Sequence, residues 1–322
     1  MKRSLMLSMA SPLALLLIGG IAFAQEYPAR TVRMVVPLSP GGGTDIAARV
    51  TAQKLTQRWG QQFIVENRPG AGGTIGTELV ARAAPDGYTL LVSSPSAIVV
   101  NPFLFAKLPY APKDFVPVVM LAPTYYVLIA HPSEPARSVQ ELIEVARKQP
   151  GKLVLASGGL GAPSDLMGEM FKNLAKIDAV TVQYKGGGQA IADVVGGQAN
   201  MMFADMIAAT SYIDAGRVML LAVATAERLP QLPDVPTLVE SGVPYDAIGW
   251  SGVFAPARTP TAIVTKLNNE LRSILKLPDV RSKLASDGSA FGSNTPESLA
   301  MFIKSELAKY ETAVKVSGRR LN

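Results

Sequence analysis

"VVPLSPGGGTDIAAR", Val35 to Arg49, is the stretch on which the reading of this chain turns. An apolar run ends in a proline-bracketed turn, three glycines follow, and Thr44-Asp45 opens a helical pattern. Glycine lets the backbone turn its N–H groups toward a ligand, and a helix N-terminus adds partial positive charge, so the stretch suits an anion. Phosphate is the first candidate and fits poorly. No Gly-x-x-x-x-Gly-Lys-Ser/Thr occurs, and Gly41-Gly42-Gly43-Thr44-Asp45-Ile46 lacks the last glycine of a dinucleotide fingerprint.

Outward from this stretch, β-branched runs alternate with helical patterns. Val32 to Val36, Phe63 to Glu66 and Thr89 to Ser93 read as strands, with helices at Asp45 to Arg58 and Gly73 to Ala83 between them. Strand-helix-strand-helix-strand is the signature of parallel sheet joined by right-handed crossovers. Pro102, Pro109, Pro112 and Pro117 then mark a turn-rich passage before the apolar run Tyr125 to Ala130.

A second alternating series follows. Ser138 to Lys148 is a predicted helix with a Ser138/Glu141 capping box. Strands at Leu153 to Ser157, Ala179 to Gln183 and Asn200 to Ala204 enclose helices at Ser164 to Ala175 and Gln189 to Gly196. A strand at Val218 to Ala224, a proline-rich passage and helices at Thr261 to Lys276 and Pro296 to Lys315 complete the chain. The pattern gives an α/β protein of two lobes, the second inserted into the first. Residues 25–121 and 221–322 form the first lobe and 122–220 the second, with crossings near Pro117 to Tyr126 and Val218 to Ala224. No internal repetition at a fixed period is visible.

Composition narrows the function classes. At 322 residues and 48% hydrophobic content the chain can bury a large core. It contains no cysteine, which excludes disulfides and thiolate chemistry. Met1-Lys2-Arg3, the apolar centre Leu13 to Ile18 and Ala22-Phe23-Ala24 have the pattern of a secretory signal peptide over 1–24, cleaved after Ala24. An uncleaved anchor fits less well, because Ser11, Pro12, Gly19 and Gly20 interrupt the short apolar run. The expectation is a soluble, periplasmic protein. Loss of Lys2 and Arg3 lowers the net charge from +6 to +4, and the charges are scattered, so nucleic acid is not an expected partner.

Three further loops share the opening design of glycines before a helix: Gly70-Ala71-Gly72-Gly73-Thr74, Ser157-Gly158-Gly159-Leu160-Gly161-Ala162-Pro163-Ser164, and Tyr184-Lys185-Gly186-Gly187-Gly188. Any one could be a plain tight turn, but four of a kind over both lobes point to a shared site. With them stand "PLSPGGGTDIAARVTAQKL", "VENRPGAGGTIGTELVARAAPDGYTLL", "LPYAPKDFVPV", "YKGGGQAIADVVGGQANMMFAD" and "LAVATAERLPQLPDVPTLVESGVP". These segments resemble the Bug family, the extracytoplasmic solute-binding proteins of tripartite tricarboxylate transporters, from about Tyr27 to Val316. The resemblance implies a two-lobed periplasmic-binding-protein (Venus flytrap, type II) fold, each lobe a mixed, mostly parallel sheet flanked by helices. It implies a monomer that holds a dicarboxylate, aromatic carboxylate or amino acid between its lobes and delivers it to integral membrane permease subunits.

Carried over residue by residue, the resemblance implies a site lined from the first lobe by Leu38, Ser39, Gly41, Gly42, Gly43, Thr44 and Asp45, by Gly72, Gly73 and Thr74, and by Ser93 and Ser94. Ser157, Gly158, Gly161, Ser164, Tyr184, Ala204 and Asp205 would close from the second lobe. Asp45 reads better as a helix cap, because its carboxylate would repel an anion. Three departures from the family stand out. Leu38 replaces a usual aromatic, Leu160 and Ala162 occupy commonly polar positions, and Asp165 stands where histidine is usual. Fewer side-chain donors suggest a ligand with an apolar portion.

An enzyme reading lacks machinery. His131 is the single histidine and has no evident serine partner in the sequence, and neither Gly-x-Ser-x-Gly nor His-Glu-x-x-His occurs. Asp165 and Glu169 read as solvated helix charges, and Trp59, Trp250 and Met201-Met202 as core, though Trp250 could also touch a cleft. No cofactor or metal is called for. A binding protein is the favoured class; a sensor for a signalling receptor keeps the same fold, and an exported hydrolase is the third reading.

Overall fold

The computed structural model describes residues 27–245, 247–284 and 292–317. The signal segment and its cleavage point lie outside the described residues. The first lobe opens with β1 (Val32–Val36), α1 (Gly43–Trp59), β2 (Phe63–Asn67), α2 (Thr74–Ala81) and β3 (Thr89–Ser93). β1 lies between β2 and β3, parallel to both. A π-helical turn at Ser96–Val100 and the short α3 (Asn101–Leu104) lead to β4 (Phe115–Ala130). The second lobe follows with α4 (Val139–Lys148), β5 (Val154–Ser157), α5 (Pro163–Ala175), β6 (Val180–Gln183), α6 (Gly187–Val195), β7 (Met201–Asp205), α7 (Met206–Asp214) and β8 (Met219–Val223). β9 (Ile248–Pro256), α8 (Thr261–Leu275), α9 (Pro278–Leu284) and α10 (Pro296–Ser317) end the chain.

β1 shows why the sheet forms. Val32, Met34 and Val36 face one side and meet Ala47, Ala48 and Leu55 of α1, while Val35 faces the other with Leu91, Trp250 and Phe254. Helices cover both faces, so β1 is apolar throughout except for Arg33, which pairs with Glu66 of β2. The second lobe repeats the arrangement, with Leu128, Leu155 and Phe203 on one face and Val127, Ala156 and Met202 on the other. α1 ends at Gly60, whose φ of 67° carries its N–H back to Thr56 O. At α4, Ser138 Oγ accepts the N–H of Glu141 at 3.2 Å as expected. Glu141, however, reaches one residue further than a capping box and accepts from Arg137 N at 2.6 Å.

β4 belongs to both lobes. From Phe115 to Tyr125 it runs antiparallel to β9, which also pairs with β3. From Tyr126 to Ala130 it pairs antiparallel with β7 on one side, and Val127 to Ala130 pair with β8 on the other. β5 lies parallel to both β6 and β7. The strand order is β2-β1-β3-β9-β4-β7-β5-β6, with β8 beside β4. This is the two-lobed mixed sheet of a type II binding-protein fold.

The return crossing differs from the expected Val218 to Ala224. β8 hydrogen-bonds within the second lobe, Ala247 N donates to Ala224 O, and Leu238 and Val243 pack in the second lobe's core. The chain goes back in β9 instead. The sequence hides β9 because "IGWSGVFAP" carries two glycines and a serine. Both glycines sit under close neighbours: a Cβ on Gly249 would lie 2.8 Å from Tyr126 Cε2, and one on Gly252 2.6 Å from Met120 Sδ.

Candidate functional site

The two lobes present half-sites built alike. In the first, Gly41 takes φ +87°, α1 begins after Gly42, and Asp45 is the third helical residue. Asp45 Oδ2 accepts from Gly41 N and from Arg49 Nε, both at 3.0 Å, and Oδ1 accepts from Asn67 Nδ2 at 2.9 Å. In the second, Gly161 takes φ +73° and Asp165 is the third residue of α5. Asp165 Oδ2 accepts from Gly161 N at 3.0 Å, and Oδ1 accepts from Gln183 Nε2 at 2.6 Å. Each aspartate ties its loop to the end of the neighbouring parallel strand. The shared signal is Gly-x-x-Thr/Ser-Asp, at Gly41 to Asp45 and Gly161 to Asp165.

Two readings of single carboxylates are corrected here. Asp45 does not cap α1, whose N-cap is Gly42 with no side-chain bond; it closes the loop from inside the first turn. Burial pushes its carboxyl up, but the hydrogen bonds from Arg49, Gly41 and Asn67 outweigh this and hold it below the usual range. Asp165 is fully buried rather than solvated, because Gly161 and Gln183 satisfy it there. Glu169 pairs instead with Lys172 at 2.7 Å and accepts from Thr181 Oγ1 at 2.8 Å.

The loops meet across the lobes in two pairs. Ser39 Oγ donates to Lys185 O at 2.9 Å, and a Cβ on Gly186 would stand 2.7 Å from Ser39 Cβ. Gly188 lies against Pro40 O and Gly41 with no room for a Cβ, and Gly43 lies against the Asp205 carboxylate. On the other side, a Cβ on Gly72 would stand 2.9 Å from Leu160 O. Several of these glycines therefore serve lobe contact as well as loop shape.

Between the paired loops lies a cleft of two adjoining compartments that share Leu38, Gly158 and Ala162. The first is lined by Ser39, Gly42, Gly43, Thr44, Asp45 and Ser94 from one lobe. Ser164 and Asp205 line it from the other, together with Tyr126, Pro163, Gly187, Met202 and Phe203, which the sequence does not single out as site residues. The second is lined by Gly72, Gly73 and Tyr184 together with Gly70, Ala71, Ser96, Gly159, Leu160 and Lys185. Gly41, Thr74, Ser93, Ser157, Gly161 and Ala204 line neither compartment. Gly41 and Gly161 spend their N–H groups on Asp45 and Asp165, while Ser93 Oγ donates to Ser94 O and Ser157 Oγ accepts from Gly159 N. His131 lines neither compartment; its Nδ1 contacts Ser133 Oγ at 2.7 Å in a local turn. Trp250 is core, 1% exposed, and donates Nε1–H to Glu306 Oε2 at 2.9 Å.

The chemistry of the first compartment is set by helix starts. Gly43 and Thr44 open α1, Pro163 and Ser164 open α5, and Gly187 opens α6. The first N–H groups of a helix have no intrahelical partner and carry partial positive charge, although Pro163 itself has no N–H to offer. Thr44 is only 7% exposed, and among the described residues its hydroxyl has no hydrogen-bond partner. Ser164 Oγ accepts from Gly158 N at 2.9 Å and keeps its own proton to donate. The remaining walls, Leu38, Tyr126, Ala162, Met202 and Phe203, are largely apolar. Asp205 is the exception. It caps α7, accepting from Ile207 N at 2.9 Å, and burial pushes its carboxyl up to about 6. Among the described residues no group of three or more His, Cys, Asp or Glu side chains could hold a metal.

A sheet crossed twice between lobes, with a cleft walled by helix starts from both, defines a two-lobed solute-binding protein. Residues 47–318 match the family described as tripartite tricarboxylate transporter family receptor, and the chain belongs to it. The chain is 36% identical to protein BugT of Bordetella pertussis, over 92% of each chain. It is similar in structure to R. palustris Rpa4515 with adipate, at 33% identity and TM-score 0.87, covering 92% of this chain and 100% of that one. MatC from Rhodopseudomonas palustris with bound malate is 34% identical, with TM-score 0.84 over 89% of this chain and 100% of that one.

Proposed function

We propose that this chain is a periplasmic solute-binding protein that closes over a small carboxylate and delivers it to membrane permease subunits. The observation that carries the reading is the Thr44 hydroxyl, which has no hydrogen-bond partner among the described residues and stands at the start of α1, lining a compartment shared with the starts of α5 and α6. Backbone N–H groups, Thr44 and Ser164 supply hydrogen-bond donors for a carboxylate, and the helix starts supply the favourable field. Leu38, Met202 and Phe203 suit a ligand with an apolar body, such as a medium-chain dicarboxylate or an aromatic acid. The adipate and malate of two structural neighbours support the class. The amino-terminal export pattern and the family support a periplasmic site of action.

The test is a thermal-shift panel of adipate, malate, aromatic acids, monocarboxylates and amino acids on protein stripped by partial denaturation. A ligand at one hundred times its Kd stabilises by about 2.7 kcal/mol. The absence of any shift with every acid would refute the carboxylate reading.

A further inference from the structure

Asp205 presents a conflict that the proposed ligand must resolve. Its carboxylate lines the compartment in which the helix starts gather, so a bound acid and Asp205 share one small space. The groups around it leave little to neutralise two negative charges. From α7, Ile207 N donates to Oδ1 at 2.9 Å, and the Ala208 amide also bonds the carboxylate. From β4, Tyr126 stands directly across the strand pair, and its hydroxyl is held in the neutral form by burial and by the Asp205 charge. Tyr245 and Tyr310 act on Tyr126 in the same direction.

The other elements add no cation. From α1, Gly43 lies against the Asp205 carboxylate with no room for a Cβ, and Asp45 is already engaged with Gly41, Arg49 and Asn67. From α5 comes the Ser164 hydroxyl, and from α6 only Gly187. Among the described residues no lysine, arginine or histidine lines this compartment, and Lys185 lines the other.

We propose that Asp205 is a specificity-determining residue that takes a proton from solvent when a carboxylate enters, so that the cleft binds its acid together with one proton. The inference rests on the carboxylate reading above. The proton sits on the Asp205 carboxyl, which then donates an O–H to the bound carboxylate instead of repelling it. No other bond changes. A bound anion raises a neighbouring carboxyl further, and this one is already raised by burial, so uptake begins near neutral pH. Asp205 thereby penalises acids at high pH and sets the protonation state in which they are held.

The experiment is calorimetric titration with adipate and with malate from about pH 6 to about pH 8, in two buffers of different ionisation enthalpy. Both acids are fully ionised across most of this range, so a pH dependence belongs to the protein. Affinity should fall with rising pH, by up to about tenfold per unit, and the binding heat should differ between buffers in the sense of proton uptake. Asp205→Asn, which keeps a good N-cap for α7, should flatten the profile and remove the buffer dependence. If Asp205→Asn fails to fold, the two-buffer heats of the natural protein decide alone. Buffer-independent heat with a flat profile overturns the proposal, as does a wild-type slope in Asp205→Asn. Tighter binding of aspartate or glutamate at higher pH would place a ligand ammonium against ionised Asp205 and also overturns it. If no acid binds at any pH, the carboxylate reading itself fails. If acids bind without proton uptake, only this inference fails.

Discussion

Gly186→Ala tests whether the glycines of the second lobe are there for closure. Gly186 has φ 167°, extended backbone open to any residue, so alanine carries no strain of its own. Its new Cβ would lie 2.7 Å from Ser39 Cβ and 2.8 Å from Ser39 N, whereas carbon atoms pack at about 3.5–4.0 Å. The lobes must therefore part by roughly 1 Å at this contact. That opening stretches the 2.9 Å bond from Ser39 Oγ to Lys185 O beyond useful length, losing about 1 kcal/mol. Overpacking in tight contacts typically costs about 1–3 kcal/mol. Ser39 and Gly186 lie in different lobes, so the cost falls on the closed state alone. A loss of 1–3 kcal/mol corresponds to about a 5- to 150-fold weaker Kd.

Isothermal titration with adipate and malate reads the affinity, and the melting temperature of ligand-free protein reads the fold. The N-cap change from glycine to alanine should cost α6 less than about 1 kcal/mol. Wild-type affinity in Gly186→Ala would refute the reasoning, because the added carbon would then have been accommodated without moving the lobes.

Further outcomes follow from the same geometry. Gly42→Val should leave the melting temperature nearly unchanged, since a Cβ there meets nothing within 4 Å, yet it should abolish binding in the acid panel by intruding on the compartment that Gly42 lines. Asp45→Asn should destabilise the protein by about 1–2 kcal/mol at neutral pH. The stabilisation from Asp45 is full above its unfolded value of about 3.9 and lost as pH falls through its lower folded value, so urea curves of variant and wild type should converge in acid. Trp250→Phe removes the buried donor to Glu306 and should cost about 2–3 kcal/mol in chemical denaturation; a loss below 0.5 kcal/mol would show that Lys309, 3.9 Å away, already satisfies that carboxylate.

How much of this was legible follows from what each residue depends on. The strand at Val32 to Val36 and the helix after Gly42 are local facts, written in apolar runs and in glycine beside a hydroxyl. The cleft loops were legible for the same reason. What the chain conceals is pairing at a distance. Ser39 meets Lys185 and Gly186 across nearly 150 positions, so nothing near Gly186 tells a ligand glycine from a contact glycine. The glycines that blur β9 became intelligible only under Tyr126 and Met120. Asp45 looks like a helix cap and Asp165 like a surface charge until Asn67 and Gln183, from adjacent strands, are seen to satisfy them. Tyr126, Met202 and Phe203 were missed as lining because their sequence neighbours mark them as core, and they stand where the core opens.

β4 gives the cleft a mechanical character. The two lobes are joined by strands hydrogen-bonded to each other from Phe115↔Pro256 to Tyr125↔Ile248, and not by slack linkers. Such a joint works as a flexure: it bends by twisting a ribbon, and its stiffness returns it toward rest. Tyr126, the next residue along that ribbon, also forms a wall of the first compartment. One residue thus belongs to both the joint and the cleft wall, with no relay between them.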